Sequence, residues 1–135
     1  MKTLMSIFII ALGSDLAFAQ TDSTELNKST MTKYGLHGSL KAKEGQVEEL
    51  AKILIKASQL VSTAKGCQLY VVGLDDTQPN TVWITEIWET KEDHDNSLKV
   101  PGVRELIKTA MPLLDGQPEK GQELSILGGA GIGIE

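Results

Sequence analysis

Apolar or small residues at Tyr34, Leu36, Gly38 and Leu40 alternate with Gly35, His37, Ser39 and Lys41. A period of two is that of a strand with one side turned to a core and the other away from it. After Lys43-Glu44-Gly45 the period lengthens. Val47, Leu50, Ala51, Leu54, Ala57, Ser58 and Val61 fall on one helical face, opposite Glu48, Glu49, Lys52 and Lys56. Glu48 and Lys52 stand at the four-residue spacing that favours a charge pair, and the helix is expected to end before Gly66.

Two runs rich in apolar, β-branched and aromatic residues follow, Cys67–Leu74 and Thr81–Trp88, and both are predicted strands. Asp75-Asp76-Thr77-Gln78-Pro79-Asn80 between them is a cluster of turn formers too short for a crossover helix, so the strands should pair as an antiparallel hairpin. Thr90, three residues before Asp93, is an acidic variant of the capping box and opens a helix over Lys91–Leu98. Pro101-Gly102 interrupts it. Val103, Leu106, Ile107 and Ala110 resume a helical face to about Leu114, where Asp115-Gly116-Gln117-Pro118 closes it, and Glu123–Leu127 supplies a last strand.

The order strand, helix, strand, strand, helix, strand is the split βαβ arrangement: a ferredoxin-like α+β fold with both helices on one face of an antiparallel sheet. The other face then needs a cover. With no third helix, a second copy of the chain is the expected one, because an open apolar sheet face exceeds the patch that soluble monomers tolerate.

The 135 residues suit one domain, expected over 33–128, with segments at each end. Lys2, the apolar run Leu4 to Leu12 and Ala17-Phe18-Ala19 form a signal peptide pattern over 1–19, with cleavage before Gln20. Residues 20–32 are then a flexible leader and 129–135 a glycine-rich tail. The protein is expected to be exported, to the periplasm or beyond, with no membrane association after cleavage, since the run is too short for an ordinary transmembrane helix and no cysteine follows it to accept a lipid.

Charge and composition exclude several functions. The net charge is -5 and the basic residues are scattered, which gives no stripe for a phosphate backbone, so nucleic acid is not an expected partner. Cys67 is the single cysteine, so no intrachain disulfide can form, and its place at the head of an apolar strand suits a buried, inert thiol. His37 and His94 are the only histidines and neither lies at ligand spacing from another donor, so no metal is expected. The tail Gly128-Gly129-Ala130-Gly131-Ile132-Gly133 has no helix after it to complete a phosphate loop, and there is no Gly-x-Ser-x-Gly elbow.

What remains is an aromatic set in a chain only 4% aromatic: Tyr70 on the second strand and Trp83 and Trp88 on the third, with Glu86 between the tryptophans. Alternation places Glu86 and Trp88 on one sheet face and Trp83 on the other. Core packing and a ligand pocket are both open readings of these residues. His37, on the less apolar side of its strand, is a candidate general base or a hydrogen-bonded partner. His94, between Asp93 and Asp95, is either a solvated residue or a pocket rim.

Four stretches in order, Tyr34-Gly35-Leu36-His37-Gly38, Gly66-Cys67-x-x-Tyr70, Glu86-x-Trp88-Glu89-x-Lys91-Glu92-Asp93-His94-Asp95 and Pro101-Gly102-Val103, together resemble the antibiotic biosynthesis monooxygenase family, in particular its small quinol monooxygenase type. The resemblance spans roughly Lys33 to Gly128. It implies a dimeric α+β barrel and oxygenation of electron-rich phenols or quinols without metal or flavin. A deprotonated phenol can pass an electron to dioxygen itself, which leaves the protein to supply a dry pocket, orientation and a base. Many quinol-type relatives carry a helix histidine nine residues after the tryptophan of Glu-x-Trp, a count that lands here on Ser97, with His94 earlier. Haem-degrading relatives need tryptophan and histidine where this chain has Ser97 and Ile107, which argues against haem degradation. The resulting expectation is a cofactor-independent monooxygenase acting on a small aromatic molecule, with His37 as base and Tyr70, Glu86, Trp88 and His94 as substrate contacts. The alternatives are an exported dimer that binds an apolar aromatic ligand without turnover, and an interaction protein with a packed interior.

Overall fold

The computed structural model describes residues 32–132; the expected signal peptide, the leader as far as Met31 and residues 133–135 of the tail lie outside the described residues. Strands β1 (Lys33–Lys41), β2 (Cys67–Leu74), β3 (Thr81–Trp88) and β4 (Gln122–Ile126) and helices α1 (Val47–Val61), α2 (Lys91–Asn96) and α3 (Val103–Ala110) run in the order β1-α1-β2-β3-α2-α3-β4, three helices where two were expected because the chain breaks at Pro101-Gly102. No helix among the described residues is long and apolar enough to cross a membrane.

Both strands of the hairpin, β2 and β3, and α1 have the bounds that periodicity predicts. Elsewhere the ends move for identifiable reasons. Val100 precedes Pro101 and is held extended, so the expected helix over Lys91–Leu98 stops at Asn96 and tightens into a 3-10 turn at Ser97–Lys99. β4 ends at Ile126 and not Leu127, because its register on β1 runs out at the pair Lys33 and Ile126. Lys52 reaches Glu49 at 4.0 Å, one residue closer than the expected partner Glu48, on an exposed face where such pairs contribute little. Thr90 caps α2 as expected, its extended backbone letting the hydroxyl accept from the Asp93 N–H at 3.1 Å.

The strand order is β2-β3-β1-β4 with every neighbouring pair antiparallel, which is the ferredoxin-like split βαβ sheet. A bulge at the start of β2 pairs Cys67 with Trp88 and Leu69 with Ile87, and so keeps both strands' side chains in phase across the extra residue Gln68. Helix α1 buries Leu50, Ile53 and Leu54 against Val82, Ala42, Ala110 and Leu114. A second apolar cluster unites Val61, Trp88 and Val103, with Tyr34, Cys67 and Tyr70 half-buried around it. Cys67 is thus less buried than its strand run suggests.

Leu50 and Val82 are fully buried where α1 meets the sheet, so truncation there removes transfer free energy and leaves a void. Leu50→Ala is expected to destabilise the domain by about 3 kcal/mol, read from urea unfolding at unchanged slope. A loss below about 1 kcal/mol would show that the site collapses around the missing atoms and that α1 is not anchored there.

Candidate functional site

Strand β3 decides which side chains can meet. Its alternation sends Val82, Ile84, Glu86 and Trp88 toward the helices and Trp83, Thr85 and Ile87 to the other side, and the register sets Tyr70 and Leu36 beside Glu86. Glu86 therefore interrupts the apolar layer between the two core clusters, at only 8% exposure. An unpartnered carboxylate there would be costly. Its Oε2 accepts a hydrogen bond from Trp88 Nε1 at 2.8 Å and lies 3.6 Å from His94 Nε2.

His94 comes to this place because α2 starts directly after β3 and folds back over its end. The imidazole lies edge-on to the Trp88 indole at 5.8 Å and tilted against the Tyr34 ring at 5.4 Å. Its Nδ1 is 3.0 Å from Asp95 Oδ1. An ionised carboxylate can only accept, so this bond selects the tautomer with the proton on Nδ1 and leaves Nε2 as an inward acceptor. The bond from His94, more than anything else, holds the Asp95 carboxyl below its ordinary range.

The interior side of the site has the opposite electrostatics. Burial pushes the Glu86 carboxyl up, opposed by the Trp88 N–H and, whenever the ring is protonated, by His94. Burial also raises the Tyr70 phenol, with the Glu86 charge adding to it, and the same two causes raise the Cys67 thiol. The result is a buried carboxyl beside a partly exposed imidazole, bordered by Tyr34, Tyr70 and Trp88 and able to take up or release a proton next to aromatic surface. Among the described residues no group of three or more His, Cys, Asp or Glu is placed to hold a metal ion.

Tyr70, Glu86, Trp88 and His94 are thus brought together, whereas His37 is not with them. It faces the opposite side of the sheet, stacked on Trp83 at 4.9 Å with 14° between the planes, and its Nδ1 is 2.9 Å from Thr85 Oγ1. Trp83 in turn donates its indole N–H to Asp75 at 3.2 Å. Tyr34, Asp95, Lys91 and Glu123 join the site without having been singled out for it. Tyr34 shares its strand face with Leu36, and only the register of β1 on β3, which pairs it with Trp88, reveals its place.

Three open depressions of the surface lie elsewhere. One of about 430 Å³ is bounded by Ala64, Lys65, Thr90, Asp93 and Lys99, one of about 500 Å³ by Leu98, Val100, Pro101 and Arg104, and one of about 200 Å³ by Ser39, Gln78 and Leu114. None of these three is lined by Tyr70, Glu86, Trp88 or His94. They are wide, solvated hollows, whereas the Glu86 side chain is 10% exposed and that of His94 24%.

The raised Glu86 has a definite sign for stability. A carboxyl whose folded value exceeds its unfolded one costs nothing below about pH 4, where it is protonated in both states, and destabilises the fold as pH rises above that. Glu86→Gln keeps an acceptor for Trp88 and removes the buried charge. The variant is expected to melt above the wild type at pH 8 and level with it near pH 4. A wild type that melts higher at pH 8 would mean that Trp88 and His94 more than offset the burial.

The family profile described as antibiotic biosynthesis monooxygenase matches residues 34–109. Among solved structures, a candidate antibiotic biosynthesis monooxygenase from Chloroflexus aurantiacus J-10-fl is 38% identical, covers 75% of this chain and 99% of its own, and superposes with a TM-score of 0.68. A second from Deinococcus radiodurans is 27% identical over 76% of this chain and 98% of its own, at a TM-score of 0.57. A protein of unknown function from Nitrosomonas europaea, 24% identical over 75% of this chain and 95% of its own, shares the fold at 0.62. No curated protein matches the chain. The matched span runs from β1 through α3 and takes in Glu86, Trp88 and His94, and on this ground the chain belongs to the antibiotic biosynthesis monooxygenase family.

Proposed function

We propose that the chain is a cofactor-independent monooxygenase that oxidises a small aromatic phenol or quinol with dioxygen, with His94 Nε2, backed by Glu86, as its base. The observation that carries this is the placement of the pair: a buried carboxyl 3.6 Å from an imidazole, bordered by three aromatic side chains. Family membership supports an oxygenase over other uses of the same pair. His37, on the other sheet face, has no buried carboxyl beside it and is not given the base role.

The chemistry needs little else. Nε2 takes the phenolic proton, and the phenolate passes an electron to dioxygen in a water-poor site. Recombination forms the carbon–oxygen bond. Loss of water then leaves one oxygen atom on the ring, and the substrate supplies all the electrons.

A second copy of the chain covers the open sheet face in this reading. Val71 and Leu124 stand 48% and 44% exposed there beside Leu69, Ile87 and Ile126, and the centre of the face carries no charged side chain although the chain as a whole is at -5. Two such faces can therefore meet without repulsion. The protein works outside the cytoplasm, on the strength of residues 1–19.

Oxygen uptake by the purified, metal-stripped protein with a panel of quinols and polycyclic phenols tests the activity. His94→Ala is expected to lower kcat/KM about a hundredfold, and His37→Ala to leave it within twofold. The reverse ranking would move the base to the other face. No protein-dependent uptake, with saturable quenching of tryptophan fluorescence, would favour a ligand-binding protein without turnover. For the assembly, Val71→Asp is expected to convert a dimer to a monomer in sedimentation velocity; an unchanged species would place the interface elsewhere.

A further inference from the structure

Outside the carboxyl and imidazole pair, one chain of contacts leads from it to the sheet edge. Asp95 Oδ1 is 3.0 Å from His94 Nδ1 and 3.8 Å from Lys91 Nζ, and Lys91 Nζ is 2.9 Å from Glu123 Oε1 on β4. Lys91 also lies 5.1 Å above the Tyr34 ring, whose hydroxyl donates to Glu123 at 3.2 Å. We propose that Asp95, braced by Lys91 and through it by Glu123, is the positioning residue that fixes the tautomer and aim of His94. The proposal rests on the reading of His94 as the base.

The geometry calls for a brace. Adjacent residues on a helix do not face each other, yet the side chains of His94 and Asp95 meet. Asp95 stands one turn after Lys91, the spacing at which opposite charges attract along a helix, and Lys91 is itself anchored on a different element. Pulled toward Lys91, the carboxylate lies where it accepts from Nδ1. Glu86 competes for the ring proton from the other side, but at 3.6 Å against 3.0 Å it is the weaker acceptor, so the proton stays on Nδ1 and the inward nitrogen is bare. The brace is exposed, and exposed pairs add little to stability. Its effect should therefore fall on the imidazole and not on folding.

Because the chain has two histidines, nitrogen-15 spectra of the full protein report each ring separately, with His37→Gln identifying the His94 signals. At pH 8.5 the wild type is expected to show the proton on Nδ1 of His94. Asp95→Asn is expected to shift the ring to a tautomer mixture, Asp95→Glu to restore most of the Nδ1 form, and Glu123→Gln to give a smaller shift, all with melting temperatures near wild type. With a phenol that the wild type consumes, Asp95→Asn is expected to lower kcat about tenfold and leave KM within twofold. A proton on Nε2 in the wild type, protons on both nitrogens at pH 8.5, or an unchanged spectrum in Asp95→Asn would overturn the proposal. An unchanged spectrum in Glu123→Gln alone would remove β4 from it. Failure to consume any phenol sinks the oxygenase reading, whereas the spectra still decide the positioning role.

Discussion

The constraint on which the site depends is the carboxyl group of Glu86 in the apolar layer between sheet and helices. A charge at such a depth must be partnered or neutralised. Trp88, two residues along the same strand face, supplies an indole N–H, and this neighbour alone cannot satisfy a carboxylate's several lone pairs. Burial therefore favours the protonated carboxyl, whose O–H faces the bare Nε2 of His94 from 3.6 Å below it. That pairing ties the position of α2, which carries His94, to the chemistry of β3, and it makes the division between the two core clusters a chemical feature as well as a packing one.

Helix α2 is six residues long, too short to persist without tertiary support. Its start is set by the Thr90 cap. Its flank is set by Gly66, whose backbone at φ +80 runs so close to the Asp93 carboxyl that a β-carbon there would collide with it. Its end is set by the extended Val100 before Pro101. These are local, replaceable restraints and not a large apolar face. The element that carries His94 to Glu86 is therefore the one least supported by its own sequence.

The two faces of the sheet carry different tasks because β1 and β3 alternate in phase. On the helix side the strands present Tyr34, Tyr70, Glu86 and Trp88 to α2. On the other side Gly35 has no side chain, so Ile126 can lie across it, and His37 stacks on Trp83 while bonded to Thr85. The imidazole there is held by neutral groups in a largely apolar surface, a setting for packing against another surface. A histidine in each environment, one beside a buried carboxyl and one on an aromatic plane, shows why the residue type alone did not indicate its use.

Periodicity and turn chemistry were enough to place every strand and helix of the domain, because each reflects a local rule: period two, period 3.6, a capping hydroxyl, a proline that ends a helix. The family motifs were legible for the same reason, being contiguous stretches. Alternation also separated Trp83 from Glu86 and Trp88 correctly. What periodicity could not supply was register. Whether His37 or His94 met Glu86 depended on which face of β1 turned toward the helices and on where α2 came to rest, and both are settled by packing between elements distant in the chain. Glu123 lies on the last strand, far along the chain from Lys91, and no spacing rule links them. Local side-chain chemistry thus determined the elements and their order, whereas the pairing of strands and the burial of one carboxyl decided which residues came together.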